Sequence, residues 1–143
     1  MNMRIRDRPR ATLLGPGCAA LILVCALGSA PALAHHSFAA EFDIGKPVEF
    51  RGRVLKVLLV NPHSWIHVEV TDKNGAKQTW MIEGGNPNEL RRRGFTPDSV
   101  SIGTELQVSG YLARDGRNKV VGRTLKLANG VPVPFQPTEL PRR

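Results

Sequence analysis

Residues 65–83 read WIHVEVTDKNGAKQTWMIE, and their alternation decides the fold class. Ile66, Val68 and Val70 fall on one side of an extended chain and Trp65, His67 and Glu69 on the other, the period of a half-buried strand. Asp72-Lys73-Asn74-Gly75 supplies a hairpin turn, and Lys77 to Glu83 returns as the partner strand. Loop length fixes the register. A two-residue Asn-Gly loop sets Trp80 opposite Glu69 on the polar side, whereas a three-residue loop, Lys73 to Gly75, sets Trp80 opposite Val68 and Ile82 opposite Ile66. Burying the large ring and Ile82 is worth on the order of 2 kcal/mol each, so the longer loop is expected and Trp80 is assigned to the core.

Upstream of the hairpin, Val48, Phe50, Gly52 and Val54 alternate with charged residues, and then the apolar parity slips by one to Leu55, Val57 and Leu59. Such a slip marks a β-bulge or bend, and Gly52 gives the chain a place to curve. Asn61-Pro62 ends that strand, because proline cannot donate to a ladder. Downstream, Asn86-Pro87-Asn88-Glu89 combines an Asn cap, a proline at the first helical position and a glutamate three residues after the cap. The short helix runs through Leu90 and Arg91, Arg92 and Arg93, whose charges complement its dipole, and stops at Gly94. A fourth strand carries Leu106, Val108 and Gly110, Asp115-Gly116 turns the chain, Val120 to Leu127 forms a fifth strand, and Asn129-Gly130 closes the domain.

Five strands with one short helix between the third and fourth is the element order of an all-β, five-stranded OB-like barrel; an open roll uses the same strands. The domain spans 48–130. Residues 35–47 show no sustained period and read as an N-terminal arm, and 131–143, with four prolines, read as an extended, mobile tail.

The first 34 residues differ in kind. Arg4, Arg6, Arg8 and Arg10 precede an apolar run from Cys18 to Leu27 and a small-residue stretch to Ala34, the layout of a secretory signal peptide. The run is too short to span a bilayer, which needs about 20 residues. Ala32-Leu33-Ala34 sets cleavage after Ala34, with a cut after Ala32 as the alternative. Export to the periplasm, or secretion, follows. Both cysteines of the 143-residue chain, Cys18 and Cys25, lie in the leader, so the processed protein is stabilised by packing alone, without disulfides. Without residues 1–34, 16 of the 20 basic and 11 of the 12 acidic residues remain, a net +5. That balance suits anionic envelope partners, and it also keeps a small protein soluble.

The landmarks His35-His36-Ser37-Phe38, Asn61-Pro62-His63, Trp80 with Glu83-Gly84-Gly85, and Leu90-Arg91-Arg92-Arg93-Gly94 together resemble a family of short exported bacterial proteins of unknown function, over roughly His35 to Gly130. The resemblance implies a periplasmic protein without an assigned activity. It carries no established catalytic residues.

Chemistry-bearing residues are few. With cleavage after Ala34, His35 offers its α-amine and its imidazole, the two-toothed chelate of a copper histidine brace, and a third nitrogen completes a set suited to copper. His63 is the preferred partner, since a turn residue approaches an arm more easily than a strand residue; His36 and His67 are the alternates. His63 and His67 stand about 13 Å apart along an extended strand, too far to share one ion. Solvated arm histidines and a turn histidine bonded to its own loop explain the same residues without metal. No G-x-S-x-G elbow, cysteine nucleophile or closely spaced carboxylate pair occurs, so no enzyme is expected. Nucleic-acid binding by the arginines, Trp65 and Tyr111 is disfavoured by export and by the scarcity of aromatic side chains. The expectation is therefore an exported binding or accessory module with its ligand face on strands two and three around Trp65, His67 and Glu83, and copper binding through His35 and His63 as the alternative.

Overall fold

The computed structural model describes residues 40–138. The stretch expected to be a signal peptide, His35, His36 and the last five residues lie outside them. Within them the chain runs β1 (Phe42–Leu58), β2 (Trp65–Thr71), β3 (Lys77–Glu83), α1 (Pro87–Arg92), a 3-10 turn (Pro97–Ser99), β4 (Glu105–Ala113), β5 (Lys119–Leu127) and β6 (Pro132–Val133).

The β2–β3 hairpin forms as its sequence dictates. Val68 faces Trp80 and Ile66 faces Ile82. Gly75 takes φ 81° in the loop, while Asp72 Oδ1 accepts from the Asn74 and Ala76 amides at 2.8 and 2.9 Å. The parity slip in β1 is a bulge, because Val54 pairs with Val68 and Lys56 with His67, leaving Leu55 as the extra residue. The helix start also matches its sequence: Asn86 Oδ1 accepts from the Glu89 amide at 2.9 Å, and Asn86 Nδ2 donates to Glu89 Oε2 at 3.3 Å.

The six strands form one chiefly antiparallel sheet in the order β3-β2-β1-β4-β5-β6, and a parallel pairing of β3 with β5 closes it into a ring. Val54, Ile66, Val68, Ile82, Leu106, Val120 and Leu125 point inward, and Leu90 of α1 plugs one end of the same core with Phe95 and Phe135. Trp80 is half-buried, its ring 4.9 Å from that of Phe50. A second, smaller cluster of Phe42, Tyr111, Ala113 and Val121 lies on the outer face.

Two stretches differ from the sequence-based expectation. β1 opens at Phe42, six residues before Val48, so half of the expected arm is strand; Phe42 pairs with Ala113 and the ladder resumes at Pro47 with Tyr111. The expected tail is partly structural, because β6 adds to the edge of β5 and Phe135 is fully buried. Proline is tolerated there because an edge strand has one side without a ladder. The arginine triplet divides accordingly: Arg91 and Arg92 are exposed, while Arg93 donates to the Gln136 carbonyl and faces Glu89 at 3.7 Å, fastening the tail to α1.

The β4–β5 turn yields one sharp expectation. Asp115 accepts from the Arg117 Nε at 2.7 Å and from the Arg117 amide at 3.0 Å. These bonds, the side-chain one foremost, hold the Asp115 carboxyl down from 3.8 to about 2. A carboxylate whose folded pKa is depressed stabilises the fold above its unfolded pKa and loses that contribution as pH falls through the folded one. An NMR carboxyl titration should therefore place Asp115 near 2, and Arg117→Ala, which removes the side-chain bond and keeps the amide one, should raise it part of the way towards 3.8. A wild-type midpoint near 4 would contradict the pairing.

Candidate functional site

The β2–β3 ladder continues past its last paired strand residues. The Ser64 amide donates to the Gly85 carbonyl at 3.0 Å and the Gly84 amide to the Ser64 carbonyl at 2.9 Å. This draws the loop containing the cis Asn61–Pro62 bond against the end of β3. His63 comes to rest on Glu83, with Nδ1 in direct contact with Oε1. Glu83 faces Trp65 on one side and Val121 on the other.

Trp65, Glu83, Val121 and Tyr111 form one row across the outer face, and His67, Met81 and Lys119 form the next. The start of β5 is buried on both sides, Val120 by the inner core and Val121 by the Phe42 cluster. Glu83 is consequently 1% exposed although it points outward, whereas the His63 side chain beside it is 34% exposed. Lys119, 3% exposed, pairs with Glu41 and with Asp115 at 3.6 Å, and its Nζ lies 5.4 Å from the Phe42 ring centroid.

The electrostatics follow from this burial. Desolvation pushes the Glu83 carboxyl above its ordinary pKa; contact with His63 pulls it back, Glu41 raises it further and Lys119 lowers it. Glu83 Oε2 and the fully buried Ser64 Oγ have no hydrogen-bond partner among the described residues. Burial and the charge of Lys56 hold the His67 imidazole below the usual histidine range, which keeps it neutral at pH 7.

Of the residues singled out from sequence, the structure joins His63 to Glu83 and sets Trp65 opposite Glu83, while His67 lies one row away opposite Met81. His35 and His36 are outside the described residues. Among the described residues no three His, Cys, Asp or Glu side chains gather as a metal cluster. Ser64, Glu41 and Lys119 belong to the site and were not anticipated. A signal for Lys119 was present, since it shares parity with Val121 in β5, but a lysine heading a strand reads as solvated.

A small β-ring carrying, on its outer face, a buried carboxylate against a half-exposed imidazole is thus the class of domain that the fold and site define. Residues 22–122 match the model of a family of unknown function (DUF6152), and the chain belongs to that family. No curated protein and no solved structure matches it. Among the described residues, no helix is long and apolar enough to cross a membrane.

Proposed function

We propose that the chain is an exported, non-catalytic binding or accessory module of OB-like architecture, freed of its leader after Ala34 and working in the periplasm. Its ligand face lies around Trp65, His67 and Glu83, with His63 at the rim. The single observation that carries this reading is Glu83, a carboxylate 1% exposed with Oε2 unpartnered, held on the outer face beside a half-exposed imidazole. Buried ionisable groups with perturbed pKa values collect at functional sites more than elsewhere. Ring closure through β3 and β5, with α1 between β3 and β4, supports the OB-like architecture. Ser64 Oγ makes no hydrogen bond to His63, which supports binding over nucleophilic chemistry.

The test begins with the full chain expressed in a bacterium with an outer membrane. The osmotic-shock fraction should contain a protein whose intact mass begins at His35. Native mass spectrometry of that protein should show a bound envelope component, lost in Trp65→Ala. An uncut chain confined to the cytosol would end the proposal.

A further inference from the structure

We propose that one rim of the ring, where β4 begins and β5 ends, is a surface for an anionic lipid bilayer, with Ile102, Leu55 and Val131 as its inserting side chains and Arg53, Lys56 and Lys126 as its headgroup contacts. The proposal goes beyond the ligand face around Trp65 and does not rest on it.

Strand pairing gathers three exposed aliphatic side chains at this rim. The Val54 amide donates to the Thr104 carbonyl and the Gly103 amide to the Val54 carbonyl, both at 2.8 Å, which lays the 101–104 turn alongside Leu55, the extra residue of the β1 bulge. Leu106, just inside β4, pairs with Leu127, and the turn that follows Leu127 closes with its amide on the Val131 carbonyl at 2.9 Å. The bulge, the turn into β4 and the turn out of β5 are therefore neighbours. Ile102 is 76% exposed there, Val131 50% and Leu55 40%, three of the five large hydrophobic side chains exposed among the described residues. The other end of the same two strands is polar: its turn carries Arg114, Asp115, Gly116, Arg117 and Asn118. Single exposed hydrophobics are ordinary, but several on one rim mark an interaction surface.

Charge selects the occupant. Arg53, Lys56 and Lys126 flank these side chains, are exposed, and form no ion pair among the described residues. Of the nearby acids, Glu105 already pairs with Arg51 at 3.4 Å, and Asp98 stands in the preceding 3-10 turn. The rim therefore carries an excess of positive charge. A protein interface draws on aromatic side chains and avoids lysine at its centre, whereas none of residues 53–56, 101–104 and 126–131 is aromatic. Aliphatic turn tips with long basic chains beside them suit lipid instead, since the tips enter the acyl boundary while the cations reach anionic headgroups.

Residues 4–27 combine arginines with an apolar run and would bind vesicles by themselves, so dependence on the rim is the decisive measurement. Co-sedimentation of the protein made from the full chain with phosphatidylglycerol-rich vesicles should give a partition coefficient that falls on the order of 10-fold in Ile102→Ser. In Lys126→Gln it should fall about fivefold, and that loss should vanish on phosphatidylcholine vesicles. A nitroxide-labelled phospholipid should broaden the amides of 101–104, Leu55 and Val131 before those of 114–118, a reading that needs no variant to fold. Unchanged partition in both variants, or earliest broadening at 114–118, overturns the surface. Concentration-dependent shifts at 101–104 without vesicle binding overturn it too, in favour of a second copy of the chain as the occupant.

Discussion

Replacing Phe135 with alanine is expected to destabilise the domain by about 3–5 kcal/mol, the usual cost of emptying a buried phenylalanine site. Phe135 is fully buried, its ring centroid lies 5.1 Å from that of Phe95, and its carbonyl accepts from the Gly85 amide at 3.1 Å. Gly84 has lost its side chain to this contact: a Cβ there would stand 2.4 Å from Phe135 Cε1. Its neighbours are Phe95 and the Gly84-Gly85 backbone, which is tied to Ser64 by hydrogen bonds and cannot collapse inward without breaking them, so the cavity persists and its full cost is felt. Since small domains are stable by roughly 5–15 kcal/mol in total, the variant should melt on the order of 15 °C below wild type. Urea denaturation followed by tryptophan fluorescence measures it. Ending the chain at Gly130 should be worse, because Val133 and the Arg93 bond to Gln136 go too. Arg91→Ala, on the exposed side of α1, should stay within about 0.5 kcal/mol. A Phe135→Ala protein melting within a degree of wild type would remove residues 131–138 from the core.

That segment also shows where the sequence is readable and where it is not. Val131, Val133 and Phe135 alternate as a strand does, but the two interleaved prolines, Pro132 and Pro134, read as an extended tail, and only the location of the edge beside β5 explains their tolerance. Local rules succeeded where one hairpin or one turn settles the matter: the three-residue loop, the Leu55 bulge and the Asn86 cap are each fixed by residues within a few positions of one another. Closure was different. The pairing of Met81 with Lys119 and of Glu83 with Val121 joins segments nearly forty residues apart, and it decides which outward residues are buried. Glu83 could therefore be placed on a face from the hairpin alone, whereas its burial and its seat beneath His63 could not. Phe42 to Lys46 read as an arm for the same reason, as Asp43, Gly45 and Lys46 obey no period and the strand is anchored there by Phe42, which pairs with Ala113 at the far end of β4.

The closed ring also dictates that Gly110→Ala should be more damaging than Gly52→Ala, although both glycines are buried in strands. At Gly52 a new Cβ would meet the Val68 side chain, Cγ2 at 2.7 Å and Cβ at 2.9 Å. At Gly110 it would meet the backbone carbonyl oxygen of Val121 at 2.2 Å. A side chain can rotate or shift by a few tenths of an ångström; a carbonyl in the β4–β5 ladder moves only with its strand, here where Gly110 faces Gly122 and Arg123 is the extra residue of a bulge. Overpacking costs of about 1–3 kcal/mol apply to Gly52→Ala, and Gly110→Ala should reach or exceed the top of that range. Double-mutant cycles separate the two mechanisms. Val68→Ala removes the nearest atom from the Gly52 clash, so the pair should recover roughly 1 kcal/mol relative to additivity. Val121→Ala leaves the carbonyl in place, so Gly110→Ala should add to it without recovery. Rescue of Gly110→Ala by Val121→Ala would mean that the β4–β5 backbones are not in the close approach on which the ring's curvature depends.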